Sequence, residues 1–186
     1  MSFGWDEEPY STKEHPSISD AISEVLTKQH QRILFFASAS NDGAKSHDCF
    51  PARNAQVLSI RATDTYGKHL SSNAALPTSD TAVFGTLGCK VPAACTDKTI
   101  QEEPVDGASP ATAIAAGMAA VIIGYITSKG REGEWGKIRT HDGFKQLLYN
   151  ITNASDGGKR FFTLEEFYDE VRWEDLDAHL RVASRR

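Results

Sequence analysis

The sequence predicts an α/β fold in which helices pack in layers on both faces of a mostly parallel sheet. Two observations carry this. Ile33-Leu34-Phe35-Phe36-Ala37 is an unbroken apolar run, the pattern of a strand buried on both faces, as in a parallel sheet. Around it the order runs helix, strand, strand, strand, apolar helix, which argues for stacked α and β layers.

Each element has its own signal. Met1–Trp5 reads as the end of a strand. Asp6–Pro16 is polar and holds two prolines, so it is a loop. Ser17–His30 is a helix: Ile18, Ala21, Ile22, Val25 and Leu26 form one apolar stripe at i, i+3, i+4, i+7 and i+8. Ser17, with Asp20 three residues on, marks its start. The apolar run after Arg32 ends in the turn Ser38-Ala39-Ser40-Asn41-Asp42-Gly43. Gln56–Ala62 and Thr81–Thr86 are further strands, and Val105–Ala108 is a loop. Ser109–Thr127 is an alanine-rich helix, apolar on nearly all sides and expected to be buried. From Ser128 the composition turns polar. Lys129–Trp135 and Ser155–Lys159 read as links, Thr140–Asn150 as a short amphipathic helix, and Thr163–Ser184 as a charged helical tail. The expected division is a layered unit over residues 1–127 and a C-terminal helical extension over 128–186.

Composition narrows the function classes. The 186 residues are 40% hydrophobic and 24% charged, with a net charge of −5. No basic patch stands out, so no nucleic-acid partner is expected. The longest apolar run lies within Ala113–Ile126 and has about 14 residues, short of the roughly 20 that span a bilayer; no membrane association is expected. No cationic segment followed by an apolar one opens the chain, and Met1 leads at once into Ser2-Phe3-Gly4-Trp5, which reads as the inside of a domain. The three cysteines, Cys49, Cys89 and Cys95, cannot all pair with one another, and no Cys/His spacing suggests zinc. Free thiols in a reducing, intracellular compartment is the first reading; a Cys89–Cys95 disulfide is the second. The sequons at Asn150 and Asn153 are patterns only.

Two segments carry chemistry. In Gly107-Ala108-Ser109-Pro110-Ala111-Thr112-Ala113-Ile114-Ala115-Ala116-Gly117 a serine sits at the first turn of a small-residue helix. That position exposes a hydroxyl, and the helix N-terminus offers positive potential and free N–H groups to a developing oxyanion. Pro110 is tolerated there because its missing N–H had no intrahelical partner. By itself the segment equally fits a serine N-cap on an ordinary alanine-rich helix. The second segment is Asn41, after the buried strand. A side-chain amide at the C-terminal end of a strand points into the crevice where α/β folds bind ligands and donates to an oxyanion. Alone, it fits better an asparagine in an ordinary turn beside Asp42-Gly43.

Taken together, the pieces resemble the subtilisin-like serine proteases. Their nucleophile motif has a Gly-Thr-Ser core, then small residues and Ala-Gly. Here Gly107-Ala108-Ser109, Ala111-Thr112 and Ala115-Ala116-Gly117 stand in register. Their oxyanion Asn follows an apolar strand and precedes a Gly, like Ile33–Ala37 and Asn41-Asp42-Gly43. Their substrate-binding strand is matched by Met1-Ser2-Phe3-Gly4. Their Pro-Ala pair, following strand and Ser-Asn are matched by Phe50-Pro51-Ala52, Val57–Ala62 and Ser72-Asn73. The match covers about residues 1–127. Ala108 replaces the family's Thr, Pro110 a larger residue and Ala113 a Pro; Ser40 stands where many members have Gly.

The resemblance implies a three-layer fold truncated at the N-terminus. It implies acyl transfer to peptide or protein substrates, with Ser109 as nucleophile and Asn41 in the oxyanion hole. Ser2, Phe3, Gly4, Ser38, Ala39 and Ser40 would line the cleft. No cofactor and no catalytic metal is implied. The family's Asp strand and His-Gly-Thr helix would lie before Met1. None of the six histidines here sits in such a motif, so each is expected to be an ordinary surface histidine.

Overall fold

The protein is described from a computed structural model, covering residues 1–2, 4–9, 12, 16–30, 32–43, 47–75, 83–94, 102–128, 130, 136–152 and 158–163. In chain order the elements are α1 (Ile18–Lys28), β1 (Phe35–Ser38), β2 (Val57–Thr63), β3 (Val83–Leu87), β4 (Val91–Ala94), β5 (Glu102–Val105), α2 (Ala108–Ser128), a 3-10 turn (Gly136–Arg139), α3 (His141–Ile151) and β6 (Lys159–Phe161). One sheet runs β1-β2-β3-β6 with every neighbouring pair parallel. Helices cover both faces, the layered α/β arrangement that the apolar strands predict.

Alternation along the strands sorts the residues. Phe36, Leu58, Ile60, Ala62 and Phe84 point to one face and pack on Ala111, Ala115, Met118 and Ile122 of α2 and on Phe144, Leu147 and Leu148 of α3. Phe36 and Phe144 meet edge to face, 5.9 Å between centroids. Ala37 and Val57 point the other way and pack on Ile22 and Leu26 of α1. The α1 N-terminus is capped as the sequence indicates: Ser17 Oγ accepts from the Asp20 N–H at 3.0 Å. The stripe on α1 is narrower than its pattern, because Ala21 and Val25 face solvent.

Three expectations change. The Val105–Ala108 loop is preceded by a strand that was not expected, β5, which overlaps it at Val105 alone and pairs antiparallel with β4. Prolines hide this hairpin from sequence reading. Pro92 and Pro104 lie directly opposite each other, which suits a pair that exchanges no hydrogen bonds. Second, α2 is only half buried. Ala113, Ala116, Gly117, Ala120, Val121 and Gly124 form an exposed stripe. An all-apolar composition shows that a helix lacks a polar face; it does not supply a layer to cover both sides. By length and composition α2 is also long and apolar enough to cross a membrane, but its buried face is the core of this sheet. Third, packing runs on past residue 127. Phe144, Leu147, Leu148 and Phe162 share the core with α2, and β6 extends the sheet beyond β3. Arg160 fastens β6 to the end of α3, donating to the Tyr149 and Thr152 carbonyls at 3.0 and 2.5 Å. The charged tail after Thr163 lies outside the described residues.

On the α1 face, beyond the helix, a polar cluster is buried. Arg61, 2% exposed, donates to Asp48 at 2.5 Å and to the Ala75 carbonyl at 3.0 Å, and Ser59 donates to Asp48 at 2.5 Å. Burial pushes Arg61 below its usual pKa and the Asp48 charge opposes this. His69 sits over Gly85, half buried, which departs from the expected surface histidine. Desolvation, with Lys159 and Arg61 nearby, lowers its pKa to about 4.

Candidate active site

The site is built where β1, β2 and β3 end. Past β1 the ladder continues: the Ala39 N–H donates to the Ile60 carbonyl at 3.0 Å, and the Ala39 carbonyl accepts from the Cys49 N–H at 2.6 Å. Ser40 then turns the chain. Its buried hydroxyl donates to the Asp42 carboxylate at 2.8 Å and accepts the Asp42 N–H at 3.1 Å. This local tie lifts Asn41 out into solvent. Serine therefore has a structural task at the position where many relatives carry Gly.

The second half of the site comes from the ends of β2 and β3. The Gly88 N–H donates to the Thr63 carbonyl at 2.9 Å, and the Gly107 N–H donates to the Gly88 carbonyl at 2.7 Å. Gly107 has φ of +132°, a region that favours glycine. A Cβ there would also lie 3.0 Å from both amide atoms of Asn41. Helix α2 begins at the next residue, and the Ala108 N–H donates to Asn41 Oδ1 at 2.8 Å. Oδ1 is thereby held, and the amide NH2 has no hydrogen-bond partner among the described residues. Ser109 follows Ala108, half buried, at the helix N-terminus. No acidic residue in the first turn offsets the helix dipole.

The structure thus brings together Ser109 and Asn41, residues singled out far apart in the sequence. It also brings in Ser2: Ser109 Oγ donates to the Ser2 carbonyl at 3.2 Å, and Ser2 Oγ donates to the Ser109 carbonyl at 3.3 Å. Gly4 is exposed nearby in the chain, while Phe3 lies outside the described residues. Ser38, Ala39 and Ser40 are buried. The Ser38 N–H donates to the Met1 carbonyl at 3.0 Å, and the Ser38 carbonyl accepts from Cys49 Sγ at 3.3 Å. The backbone groups of Ser38 and Ala39 are therefore used within the chain, which limits these residues to forming a wall. Cys49 was not singled out by sequence reading as part of this region. Nothing local marks it; its place depends on Gly4 and Ser38 meeting in space.

Among the described residues, no basic side chain hydrogen-bonds to Ser109 Oγ. His30 and His47 are exposed, His69 and His141 half buried, and His15 and His179 lie outside the described residues. Cys49 and Cys89 are free thiols; Cys95 lies outside the described residues. No group of three or more His, Cys, Asp or Glu is placed to hold a metal ion among the described residues.

Comparison with known proteins fits this geometry. No curated protein matches the chain. Several solved structures do. The protease domain of PatA, in a serine-to-alanine mutant, matches with a TM-score of 0.68 at 20% identity, over 96% of this chain and 58% of that one. The PatG macrocyclase in complex with peptide matches with a TM-score of 0.64 at 15% identity, over 83% of this chain and 42% of that one. The prenylagaramide maturation protease PagA matches with a TM-score of 0.61 at 19% identity, over 85% of this chain and 54% of that one. At such identities these likenesses show the fold, and the chain spans about half the length of each structure. The family model is the broader finding: it matches residues 1–162, including the strand ends, the turn at Asn41 and the start of α2, and with that match the chain belongs to the subtilase family.

Proposed function

We propose that the chain carries the nucleophile and oxyanion hole of a serine endopeptidase, with Ser109 attacking the peptide carbonyl. The observation that carries this is the 2.8 Å bond from the Ala108 N–H to Asn41 Oδ1. With Oδ1 held there, the Asn41 amide keeps its N–H donors free at the start of α2, where with the Ser109 backbone N–H they would serve a tetrahedral oxyanion. A peptide would lie along Ser2–Gly4 as an added strand, with Ser38–Ser40 as wall. Binding it there displaces the Ser2–Ser109 contact and frees the hydroxyl.

A serine hydroxyl is a weak nucleophile without an adjacent base. The base comes from outside the described residues, from a His oriented by an Asp in a complementary segment, consistent with the chain spanning about half of its structural neighbours. One observation favours a second reading, a non-catalytic peptide binder: Ser109 Oγ is occupied by a backbone carbonyl instead of a base. Complementation separates the two. The chain is co-expressed with the Asp- and His-bearing half of a subtilase and treated with a fluorophosphonate probe. Labelling that requires both halves and disappears in Ser109→Ala supports the protease; no labelling with both halves present supports the binder.

A further inference from the structure

A cavity of about 340 Å³ lies where β2 and β3 begin. Val57 and Val83, the first residues of those strands, line it, whereas the candidate active site stands at their last residues. At the usual strand rise the two ends of β2 are roughly 20 Å apart. The paired register of β2 and β3 starts at Ile60 and Phe84, so side chains from both faces of β2 reach this space. Ala52, Val57, Leu58 and Phe84 give it an apolar wall. Its ionisable lining is lopsided: Arg53, Arg61, His141 and Lys145 stand against a single carboxylate among the described residues, Asp48. That carboxylate is used twice, accepting from Arg61 and from Ser59. Arg53 is paired with Glu7, and His141 meets Asp142. Two donors are left over. Lys145, half buried on α3, makes no ion pair or hydrogen bond among the described residues. Arg61, 2% exposed, leaves its Nε–H without a partner. A buried donor left unpaired costs free energy, and an ammonium beside an apolar wall loses water without gaining a counter-charge.

We propose that this cavity binds a small organic carboxylate: the Lys145 ammonium supplies its counter-charge, the Arg61 Nε–H a further donor, and the apolar wall takes its carbon chain. The size lies within the roughly 300–1,000 Å³ of small-molecule sites, whose usual make-up is an apolar lining with a few placed polar groups. The sign follows from the charge left over. Asp48 is spent on Arg61, so Lys145 is the unbalanced group; a monoanion neutralises it and a cation is repelled. A bare inorganic anion would leave the apolar wall in water and forgo the gain of covering it. The site shares no residue with Ser109, Asn41 or the wall of the cleft, so it stands whether or not the chain cleaves peptides. A ligand there touches α3 and β2 together and should raise the thermal midpoint as its concentration grows.

The test titrates the whole chain with hexanoate, hexanol and hexylamine, which share a carbon chain and differ in charge, and with inorganic phosphate, which has the charge without the chain. Calorimetry reads affinity and NMR reads the place. Hexanoate should bind at least ~10-fold tighter than each of the others, the worth of one charge-assisted hydrogen bond. It should shift the resonances of Lys145 and Phe84 and leave Ser109 unmoved. Lys145→Gln should weaken hexanoate by about 10-fold without changing hexanol, and Lys145→Arg, which keeps the charge, should retain most of the affinity. Lys145 has no partner to lose, so both variants should keep the wild-type thermal midpoint when no ligand is present. Should a variant fail to fold, the comparison of probes on the wild-type chain still decides. Hexanol or phosphate binding as tightly as hexanoate, full affinity in a folded Lys145→Gln, shifts centred on Ser109, or no binding of hexanoate would each overturn the proposal.

Discussion

Asn41 does two things that separate variants can pull apart. In the proposed mechanism its Nδ2 group donates to the oxyanion, and in the structure its Oδ1 satisfies the Ala108 N–H at 2.8 Å. Asn41→Ala removes both. In the complemented enzyme, turnover should fall by about 100- to 1,000-fold, roughly 2.7–4 kcal/mol, with little change in substrate binding; this magnitude is that measured for an oxyanion-hole donor in a subtilisin. The Ala108 N–H is also orphaned at a helix N-terminus, which should cost about 1 kcal/mol of stability, as for loss of a cap. Asn41→Asp keeps an acceptor for Ala108 and adds a favourable charge at the helix N-terminus, so stability should hold. It also places a carboxylate where negative charge develops, so turnover should fall at least as far as in the alanine variant. The assay pairs steady-state kinetics with denaturant unfolding of the same preparations. Turnover that survives in Asn41→Asp would remove the amide donor from the mechanism. Equal destabilisation by both variants would remove the capping role of Oδ1.

Other consequences follow from packing and charge. Gly4→Ala drives a Cβ to 2.2 Å from Cys49 Sγ and should cost about 1–3 kcal/mol; adding Cys49→Gly should restore most of it, and simple additivity in the double-mutant cycle would disprove the contact. Asp48→Ala leaves buried Arg61 without its carboxylate and should destabilise by about 3–5 kcal/mol, read as a drop in the urea midpoint. His69, with its pKa lowered from 6.5 to about 4, stays neutral in the fold while the unfolded chain takes up a proton. Stability should therefore be full above pH 6.5, decline as pH falls towards 4 and level off below; His69→Gln should flatten that window, and an unchanged slope would assign the acid sensitivity elsewhere.

Elements with strong local signals were readable from residues alone. The apolar run before Ser38 reads as a strand covered on both faces, and α1 carries its start signal at Ser17; the Thr140 cap of α3 emerged only in the structure. The hairpin of β4 and β5 was not readable, because Pro92 and Pro104 argue locally against a strand and only their pairing reveals why they are tolerated. The open face of α2 was not readable either, since small apolar residues look the same whether covered or bare. At the site, Ser109 and Asn41 stood out by position and family resemblance. Ser40 looked like a departure from the family and proved to be the residue that ties the turn.

By itself, the sequence determined the α/β layering, the place of the candidate nucleophile at a helix start and the family resemblance, because each rests on periodicity or on a run of neighbouring residues. Only the tertiary structure decided how those pieces act on one another. Asn41 meets Ala108 across 67 residues, Ser2 meets Ser109 across 107, and the Cys49 sulfur fills the space over Gly4. Such contacts leave no local trace. They depend on the parallel register that brings β1, β2 and β3 to end together, and on the Gly88–Gly107 bond that sets α2 at that edge.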